Sequence, residues 1–188
     1  AYLLSDVMRE HRFVNVETFT GTRGDDIFTV APSFRNKEGT GRNWIEAAGG
    51  NDTIDASNQN TAVILNLNEG QFSQIGKAFL KYDNMTMFNQ GLAIAYGTQI
   101  ENAVGSAQND VLIGNALANV LDGRGGADTM NGGAGNDTYV VDNIADSVVE
   151  TGSSPWEIDT VLSWVDYSLT ANVENLTMMG TANLTANG

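Results

Sequence analysis

The sequence predicts an all-β fold in which short strands coil into a stack, and three observations support this prediction. Four nine-residue units run without a gap from residue 105 to residue 140, and a glycine opens each unit. An acid or its amide stands sixth in every unit, and an apolar residue stands eighth. Such a strict period is typical of repeats that bury their apolar positions by stacking on one another. The sixth places hold Asp110, Asn119, Asp128 and Asp137, and the eighth places hold Leu112, Leu121, Met130 and Tyr139.

The length of the unit sets its geometry. Nine residues divide into a six-residue turn and a three-residue strand, so two units complete one coil of about 18 residues. Glycine suits such turns because it adopts positive φ without steric cost, and Asn tolerates that conformation. We therefore predict positive φ at Asn51, Asn109 and Asn136, each of which precedes a sixth-place Asp. At ~25 cal/mol per Å² of buried apolar surface, the thin core of this coil cannot by itself offset the entropy of ordering the chain.

The coil stacks Asp110 over Asp128 and Asn119 over Asp137. Two carboxylates in close contact repel by about 1–4 kcal/mol. A divalent cation between them reverses this interaction, and its oxygen shell suits calcium, so we expect several Ca²⁺ ions and metal-coupled folding. The alternative is that such turns are ordinary loops that bind nothing, which the strict phase of four units disfavours. Asp146 lies a further 18 residues past Asp128, but its turn has no glycine, so spacing alone does not establish a site there.

The chain is predicted to form one elongated domain with four regions. Residues 21–60 hold two degenerate copies of the unit, GTRGDDIFT and AAGGNDTID, and form the opening rungs. Residues 61–104 form a strand-rich flank with an inserted loop, and residues 105–140 form the four-unit array. Residues 141–188 form a second module of the same type, truncated at its end.

Alternation of apolar and polar residues predicts further strands outside the array. Helical spacing of apolar residues predicts a short capping helix within residues 1–20 and a helical turn at 78–82. The predicted strands are TAVILNL at 61–67, LAIAYG at 92–97, VVDNIADSVVE at 140–150 and IDTVLSWVDYSL at 158–169.

The composition excludes several classes of partner. The 188 residues carry 23 acids against 9 bases, a net charge of −14, which repels nucleic acid and anionic membranes. No apolar stretch approaches the ~20 residues of a membrane-spanning helix. There is no cysteine, so disulfides and thiolate metal sites are excluded, and a bound metal is the remaining means of cross-linking a thin fold. Hydrophobic residues make up 41% of the chain, which disfavours disorder.

The residues for common catalytic sites are missing, so we predict that this chain is not an enzyme. His11 is the only histidine, which excludes histidine-based zinc sites and catalytic triads within the chain. Paired acids can form an acid–base couple, but their regular phase favours a ligand role. Trp44, Trp156 and Trp164 could form a sugar-binding platform, although covering the ends and gaps of the coil is the simpler role.

The nonapeptides match the pattern GGxGxDxUx, and they resemble the RTX family of type I secreted bacterial proteins. The closer resemblance is to the C-terminal domain of serralysin-type metalloproteases, over roughly residues 44–140, through NWIEAAGGNDTIDAS, VILNLNEGQFSQIG and AIAYGTQIENAVG. VVDN, IDTVLS and NVENLTMMGTANLT resemble a module frequent in other RTX proteins. The resemblance implies a parallel β-roll, a β-helix-like solenoid with flanking strands and loops, in which calcium lies between successive turns on each side.

The resemblance also implies ligand sets, in which non-acidic members act through backbone carbonyls. Asn119 replaces an Asp of the family pattern and should weaken its site, and Gln108 replaces a glycine. The acid that the family carries five residues before its GGND Asp is Ala47 here, with Glu46 one place off. One implied set is Ser106, Gln108 and Asp110 with Gly123, Gly125 and Asp128; a second is Asn115, Leu117 and Asn119 with Gly132, Ala134 and Asp137; a third, in the opening rungs, contains Gly49, Gly50, Asp52 and Glu101.

The first functional hypothesis is a non-catalytic calcium-binding module of a type I secreted bacterial protein, folding on calcium outside the cell. The alternatives are an adhesin or surface-layer module, in which calcium stiffens a spacer or a glycan- or surface-binding site, and the tail of a serralysin-like protease whose catalytic domain is not in this chain. Under each hypothesis we expect an extracellular location and a larger parent polypeptide.

Overall fold

The computed structural model describes residues 2–3, 17–30, 43–75, 79–80, 87–88, 91–152, 154–180 and 184–187. The described residues contain strands and turns and no helix. All of the described strands are two to four residues long, as expected when each repeat contributes only a three-residue strand. The strands are β1 (Tyr2–Leu3), β2 (Glu17–Thr20), β3 (Ile27–Thr29), β4 (Asn43–Glu46), β5 (Thr53–Asp55), β6 (Ile64–Asn66), β7 (Phe72–Ser73), β8 (Phe79–Leu80), β9 (Met87–Phe88), β10 (Leu92–Ile94), β11 (Asn102–Val104), β12 (Val111–Ile113), β13 (Val120–Asp122), β14 (Thr129–Asn131), β15 (Thr138–Val141), β16 (Ser147–Val149), β17 (Thr160–Ser163), β18 (Tyr167–Ser168), β19 (Asn175–Met178) and β20 (Ala186–Asn187).

Consecutive strands of the array alternate between two parallel sheets. One sheet has eight strands in the order β1-β3-β5-β11-β13-β15-β17-β19, and the other has four in the order β16-β14-β12-β6. Leu112 pairs with Met130 in the four-stranded sheet, and Leu121 pairs with Tyr139 in the eight-stranded sheet. Each pair is 18 residues apart, so one coil consists of two nonapeptides. The fold is the predicted all-β parallel β-roll.

A third sheet and two small strand pairs flank the roll. The third sheet has the order β2-β4-β10-β7, in which only β7 is antiparallel to its neighbour. Strands β8 and β9 pair antiparallel, and β18 pairs in parallel with β20.

The core is a row of single side chains between the two main sheets. In most three-residue strands of the roll only the central residue is fully buried. The eighth-place residues of the array are 0% exposed, and Phe28, Ile54, Leu65, Val148 and Val161 continue the same row on either side. Because most three-residue strands of the roll bury only one apolar side chain, stability depends on how the turns are held together.

Two predictions about local structure were wrong, and a third, the capping helix, lies almost entirely outside the described residues. The predicted helical turn at 78–82 contains β8, which pairs with β9, because pairing with a distant strand overrides the local preference of a short segment. The predicted strand 140–150 is two strands, separated by a turn that Asp146 closes by accepting the N–H groups of Asp142 and Asn143. Leu3 of the predicted capping helix lies in β1, and residues 4–16 lie outside the described residues.

The other predicted strands were correct in place and longer than the real ones. The ranges 61–67 and 92–97 contain β6 and β10, and the range 158–169 contains β17 and β18. Within the described part of the chain, no helix has the length and apolar character needed to cross a bilayer.

Candidate metal centre

A ladder of hydrogen bonds runs along each edge of the roll through the sixth-place residues. On one edge, Asp128 Oδ1 accepts the N–H of Asp110 at 2.7 Å, and Asp146 Oδ1 accepts the N–H of Asp128 at 3.0 Å. Asp110 Oδ1 in turn accepts the N–H of Val63 at 2.7 Å. The predicted stacking of Asp110 over Asp128 is confirmed by this register, and Asp146 continues the ladder although its turn has no glycine.

The opposite edge carries a second ladder of three such hydrogen bonds. Asp137 Oδ1 accepts the N–H of Asn119 at 2.7 Å, Asp159 Oδ1 accepts the N–H of Asp137 at 2.7 Å, and Glu174 accepts the N–H of Asp159 at 2.8 Å. At Asn119 the amide adds a contact that a carboxylate could not make, since its Nδ2 donates to the Glu101 carbonyl at 2.9 Å. The predicted stacking of Asn119 over Asp137 is therefore confirmed.

The opening rungs repeat the arrangement with Asp52 and Glu101. Asp52 Oδ1 accepts the N–H of Asp26 at 2.8 Å, and Glu101 Oε2 accepts the N–H of Asp52 at 2.7 Å. Gly49 and Gly50 lie at φ +114° and +125°. The structure therefore brings the residues of the third implied ligand set into neighbouring turns.

Three carboxylates of these ladders each keep one buried oxygen without a hydrogen-bond partner. These atoms are the Oδ2 oxygens of Asp52, Asp128 and Asp137, and each side chain is 1% exposed. A buried unpartnered polar atom costs about 1–3 kcal/mol, and more when it is charged. A bound cation can satisfy a carboxylate oxygen that no protein donor reaches, so these atoms fit calcium.

Turn conformation separates these three carboxylates from the others. Where Oδ2 has no partner, the preceding turn contains two residues at positive φ, as at Arg124 and Gly126 before Asp128. In the turn of Asp110 no residue has positive φ, and Asp110 Oδ2 accepts the N–H of Ser106. In the three turns with positive φ, Oδ2 therefore lacks the turn N–H that satisfies Asp110.

Backbone carbonyls of one turn also face the next turn on the same edge. A Cβ atom at Gly126 would lie 2.5 Å from the carbonyl oxygen of Gln108, and one at Gly135 would lie 2.5 Å from that of Leu117. Gly133 has the same relation to the Asn115 carbonyl, at 2.7 Å. Only glycine permits this approach, and it places carbonyl oxygens in the gap between turns, where the implied ligand sets require them.

The remaining members of the implied sets lie in the same turns. Ser106 is fully buried and its Oγ contacts Asp110, whereas the Asn115 side chain donates to the carbonyls of the flank at Leu67 and Ile100. Gly123, Gly125, Gly132 and Ala134 contribute backbone only. Whether these groups bind calcium stays a prediction.

The predicted positive φ at Asn51, Asn109 and Asn136 was wrong. Positive φ among the described residues falls on glycines and on Arg124 and Asn172. The three asparagines instead form hydrogen bonds between consecutive turns. Asn109 Oδ1 accepts the N–H of Ala127, and Asn136 Oδ1 accepts the N–H of Ile158, each at 2.9 Å. Asn51 Oδ1 accepts a hydrogen bond from the Asn102 side chain. Asn109 and Asn136 thus join consecutive turns, and each such hydrogen bond contributes about 0.5–1.5 kcal/mol net.

Burial raises the pKa of these carboxyl groups. For Asp128, burial and then the neighbouring carboxylates of Asp146 and Asp110 raise the pKa to about 7. For Asp137, burial and then Glu150 and Asp159 raise it to about 7. At neutral pH such groups lie midway between holding a proton and holding a charge, and a bound cation favours the charged form.

Sequence reasoning missed Asp159 and Glu150 and left Asp146 undecided. Asp159 stands 22 residues after Asp137, so four inserted residues break the period that would have revealed it. The available signal was the DTV sequence at residues 159–161, which repeats the DTY sequence at residues 137–139.

Comparison with known proteins agrees with this geometry. The family described as peptidase M10 serralysin C terminal matches residues 42–181, which is 140 of 188 residues. The chain is 41% identical over 66 residues to serralysin B of Dickeya chrysanthemi and 42% identical over 66 residues to a serralysin of Photorhabdus sp. (strain Az29). Each match covers 35% of this chain and 12% of the relative, so the chain spans only a small part of these serralysins. The chain belongs to the serralysin C-terminal family.

Proposed function

We propose that this chain is a non-catalytic, calcium-binding RTX module of a type I secreted bacterial protein, and that it folds on calcium outside the cell. The observation that carries the proposal is the set of buried, unpartnered Oδ2 atoms at Asp52, Asp128 and Asp137, each in a glycine-rich turn. Family membership supports it, since the match lies in the C-terminal part of serralysins.

The first proposed site lies between the turns 105–110 and 123–128. Asp128 has the free carboxylate oxygen of this site, and the carbonyl oxygen of Gln108 faces Gly126 across the gap between these turns. Ser106, Gly123 and Gly125 complete this set through their backbone carbonyls. Asp110, whose two oxygens accept the N–H groups of Val63 and Ser106, adds a second negative charge beside the ion. Calcium, when bound there, supplies the positive charge that offsets the two stacked carboxylates.

The second proposed site lies between the turns 114–119 and 132–137. The carbonyl oxygens of Asn115 and Leu117 approach Gly133 and Gly135 across this gap, and Asp137 Oδ1 faces the N–H of Asn119. Gly132 and Ala134 contribute carbonyls. Asn119 brings no charge, so we propose weaker binding here than at the first site. The opening site, with Gly49, Gly50, Asp52 and Glu101, has two carboxylates.

We propose that the module is divided into the same four regions that the sequence predicts. Residues 21–60 form the opening rungs, 61–104 the flank with its inserted loop, 105–140 the array, and 141–188 a second module. Without cations, several buried carboxylates must either bind protons or repel one another. Extracellular calcium modules bind at ~10⁻⁴–10⁻³ M, so the chain would stay unfolded in a low-calcium cytosol and fold after export.

Far-UV circular dichroism during a calcium titration tests this proposal. We expect the β signal to appear with added Ca²⁺, and the variant Asp128→Asn to require more calcium. The matched control is Glu46→Gln, which neutralises an exposed acid at the edge of β4. A β signal already complete in excess chelator would contradict calcium-dependent folding.

A second candidate function is a surface-binding or glycan-binding module of an adhesin or surface-layer protein. The observation that favours it is Trp156, which is 87% exposed beside Ile158 at 53%. Trp44, by contrast, packs against Phe72 at a ring distance of 6.2 Å. Glycan binding that quenches Trp156 fluorescence only in the presence of calcium would support this function, and Trp156→Ala should abolish the quenching.

The parent protein is a separate question, because the chain covers only a small part of its relatives. We propose a serralysin-like protease as one candidate parent, since the matching proteins are serralysins. An HExxH helix in the polypeptide upstream of Ala1 would support this parent, and an adhesin repeat there would exclude it.

A further inference from the structure

The coil that follows the array departs from the 18-residue period. Asp159 accepts the N–H of Asp137 across 22 residues, yet Tyr139 still pairs with Val161 in register. The additional residues therefore lie in the turn 150–159, between β16 and β17. This turn lacks the nonapeptide pattern and contains Glu150 and Glu157 where the array has small residues.

Three buried carboxylates meet in this turn. Asp137, Glu150 and Asp159 each offer one oxygen, and the three oxygens lie within 4.8 Å of one another. These side chains come from three different segments: the last turn of the array, the end of β16 and the start of β17. Asp159 is 2% exposed and Glu150 is 8% exposed, so water does not screen their charges.

An independent observation shows that one oxygen in this place lacks a partner. Asp137 Oδ2 is buried without a hydrogen bond, on a side chain that is 1% exposed. A Cβ at Gly132 would collide with both Asp137 Oδ2 and the Tyr139 hydroxyl, so these two oxygens share the space beside Gly132. The Tyr139 hydroxyl accepts the N–H of Gly132 at 3.0 Å and donates to Glu150 Oε2. The unpartnered oxygen therefore points into the cluster.

Further oxygens surround the same space on the side of Gly152. A Cβ at Gly152 would lie 2.7 Å from the Gly133 carbonyl oxygen, 2.7 Å from Glu157 Oε2 and 3.1 Å from Glu150 Oε1. The charged groups that raise the pKa of Asp137 are Glu150, Asp159 and Glu157, all of them acids. The cluster thus has oxygen donors and negative charge, and burial adds to the need for a counter-charge.

We propose that Asp137, Glu150 and Asp159 bind a Ca²⁺ ion, in a site that the nonapeptide pattern does not encode. Calcium binds oxygen at about 2.3–2.6 Å, so oxygens on opposite sides of one ion are about 4.6–5.2 Å apart. The three carboxylate oxygens lie within 4.8 Å of one another, so they are close enough together to surround one ion. The site goes beyond the proposed array sites, because Glu150 and Asp159 belong to neither of them.

The choice of calcium follows from the ligands. The donors are carboxylate and carbonyl oxygens, with no nitrogen or sulfur, which favours a hard cation over zinc or copper. Three carboxylates also bring more charge than the array sites, and a higher ligand charge increases affinity for calcium.

Counting bound calcium by native mass spectrometry and by isothermal titration tests the proposal on the whole chain. We expect Glu150→Gln and Asp159→Asn each to lose one ion per chain, whereas the control Asp166→Asn, which neutralises an exposed acid of the same module, loses none. Asp128→Asn should remove an array ion and keep this one, so failure of the array sites and failure of this site are distinguishable.

An unchanged ion count and affinity in Glu150→Gln would overturn the proposal and would mean that protons alone hold the cluster. If Glu150→Gln lowers the β signal in calcium, Glu150→Asp provides the second measurement, because it keeps the carboxylate. We then expect both the β signal and the ion count to recover in Glu150→Asp. A recovered β signal with the ion still missing would count equally against the site.

Discussion

Without calcium, acid should replace the cation in stabilising the coil. The carboxyl groups of Asp128 and Asp137 have a pKa of about 7 in the folded chain, against an ordinary value of 3.8, mainly because they are buried. A group with a raised folded pKa binds more protons folded than unfolded between these two values. The stabilisation that protonated Asp128 and Asp137 give to the folded chain is therefore complete below about pH 4 and is lost as the pH rises towards 7.

The size of this effect follows from the shift. A rise from 3.8 to about 7 is about 3 pKa units, which at about 1.36 kcal/mol per unit gives about 4 kcal/mol for Asp128. Asp137 has a shift of the same size. Both side chains are 1% exposed, so solvent screening does not reduce these values much. Two such groups together approach the whole free energy of unfolding of a typical domain, about 5–15 kcal/mol.

The assay is far-UV circular dichroism in excess chelator between pH 8 and pH 5, with a parallel series in saturating calcium. We expect the β signal of the chelated chain to increase as the pH falls, and the calcium-loaded chain to stay folded throughout. The chelated variant Asp128→Asn, which has no charge to lose at this position, should show a smaller pH dependence. Repeating the series in 0.5 M salt screens surface repulsion and separates it from the buried carboxyl groups.

Two results would refute this reasoning. One is a chelated chain whose β signal does not change between pH 8 and pH 5. The other is an Asp128→Asn variant with the pH profile of the parent chain, because the titrating group would then lie elsewhere.

Three further predictions concern the turn, the core and the ligand amide. In thermal melts with calcium, Gly135→Ala should lower the free energy of unfolding by about 1–3 kcal/mol, because φ is +114° and the new Cβ would lie 2.5 Å from the Leu117 carbonyl oxygen. The control Gly125→Ala should be near neutral, because no atom lies within 4 Å of its new Cβ. In urea unfolding, Leu121→Ala should lower the free energy of unfolding by about 2–5 kcal/mol, since Leu121 is fully buried. The control Val120→Ala should lower it far less, because Val120 is 41% exposed. Asn119→Asp should bind calcium more tightly by isothermal titration and be less stable in chelator; equal affinity would show that Asn119 is not a ligand.

The sequence predicted the parts of the fold that depend on a fixed period. Asp110 and Asp128 lie in register because 18 residues complete one coil, a distance that can be read directly from the positions of the glycines. The fully buried eighth-place residues follow from the same period, because every ninth residue returns to the core.

Features that depend on non-local contacts could not be predicted. The pairing of β8 with β9 has no period behind it, and the 22-residue coil that brings Asp159 beside Asp137 breaks the period. Turn conformation also decides which carboxylate keeps a free oxygen. Asp110 and Asp128 occupy the same place in their repeats, yet Ser106 satisfies only the first.

The most direct measurement is the anomalous scattering of calcium in a crystal grown with abundant Ca²⁺. We expect a peak about 2.3–2.6 Å from Asp128 Oδ2 and another at the same distance from Asp137 Oδ2. Water or a protein donor at both oxygens, in a coil that is equally complete in crystals grown with chelator, would contradict it.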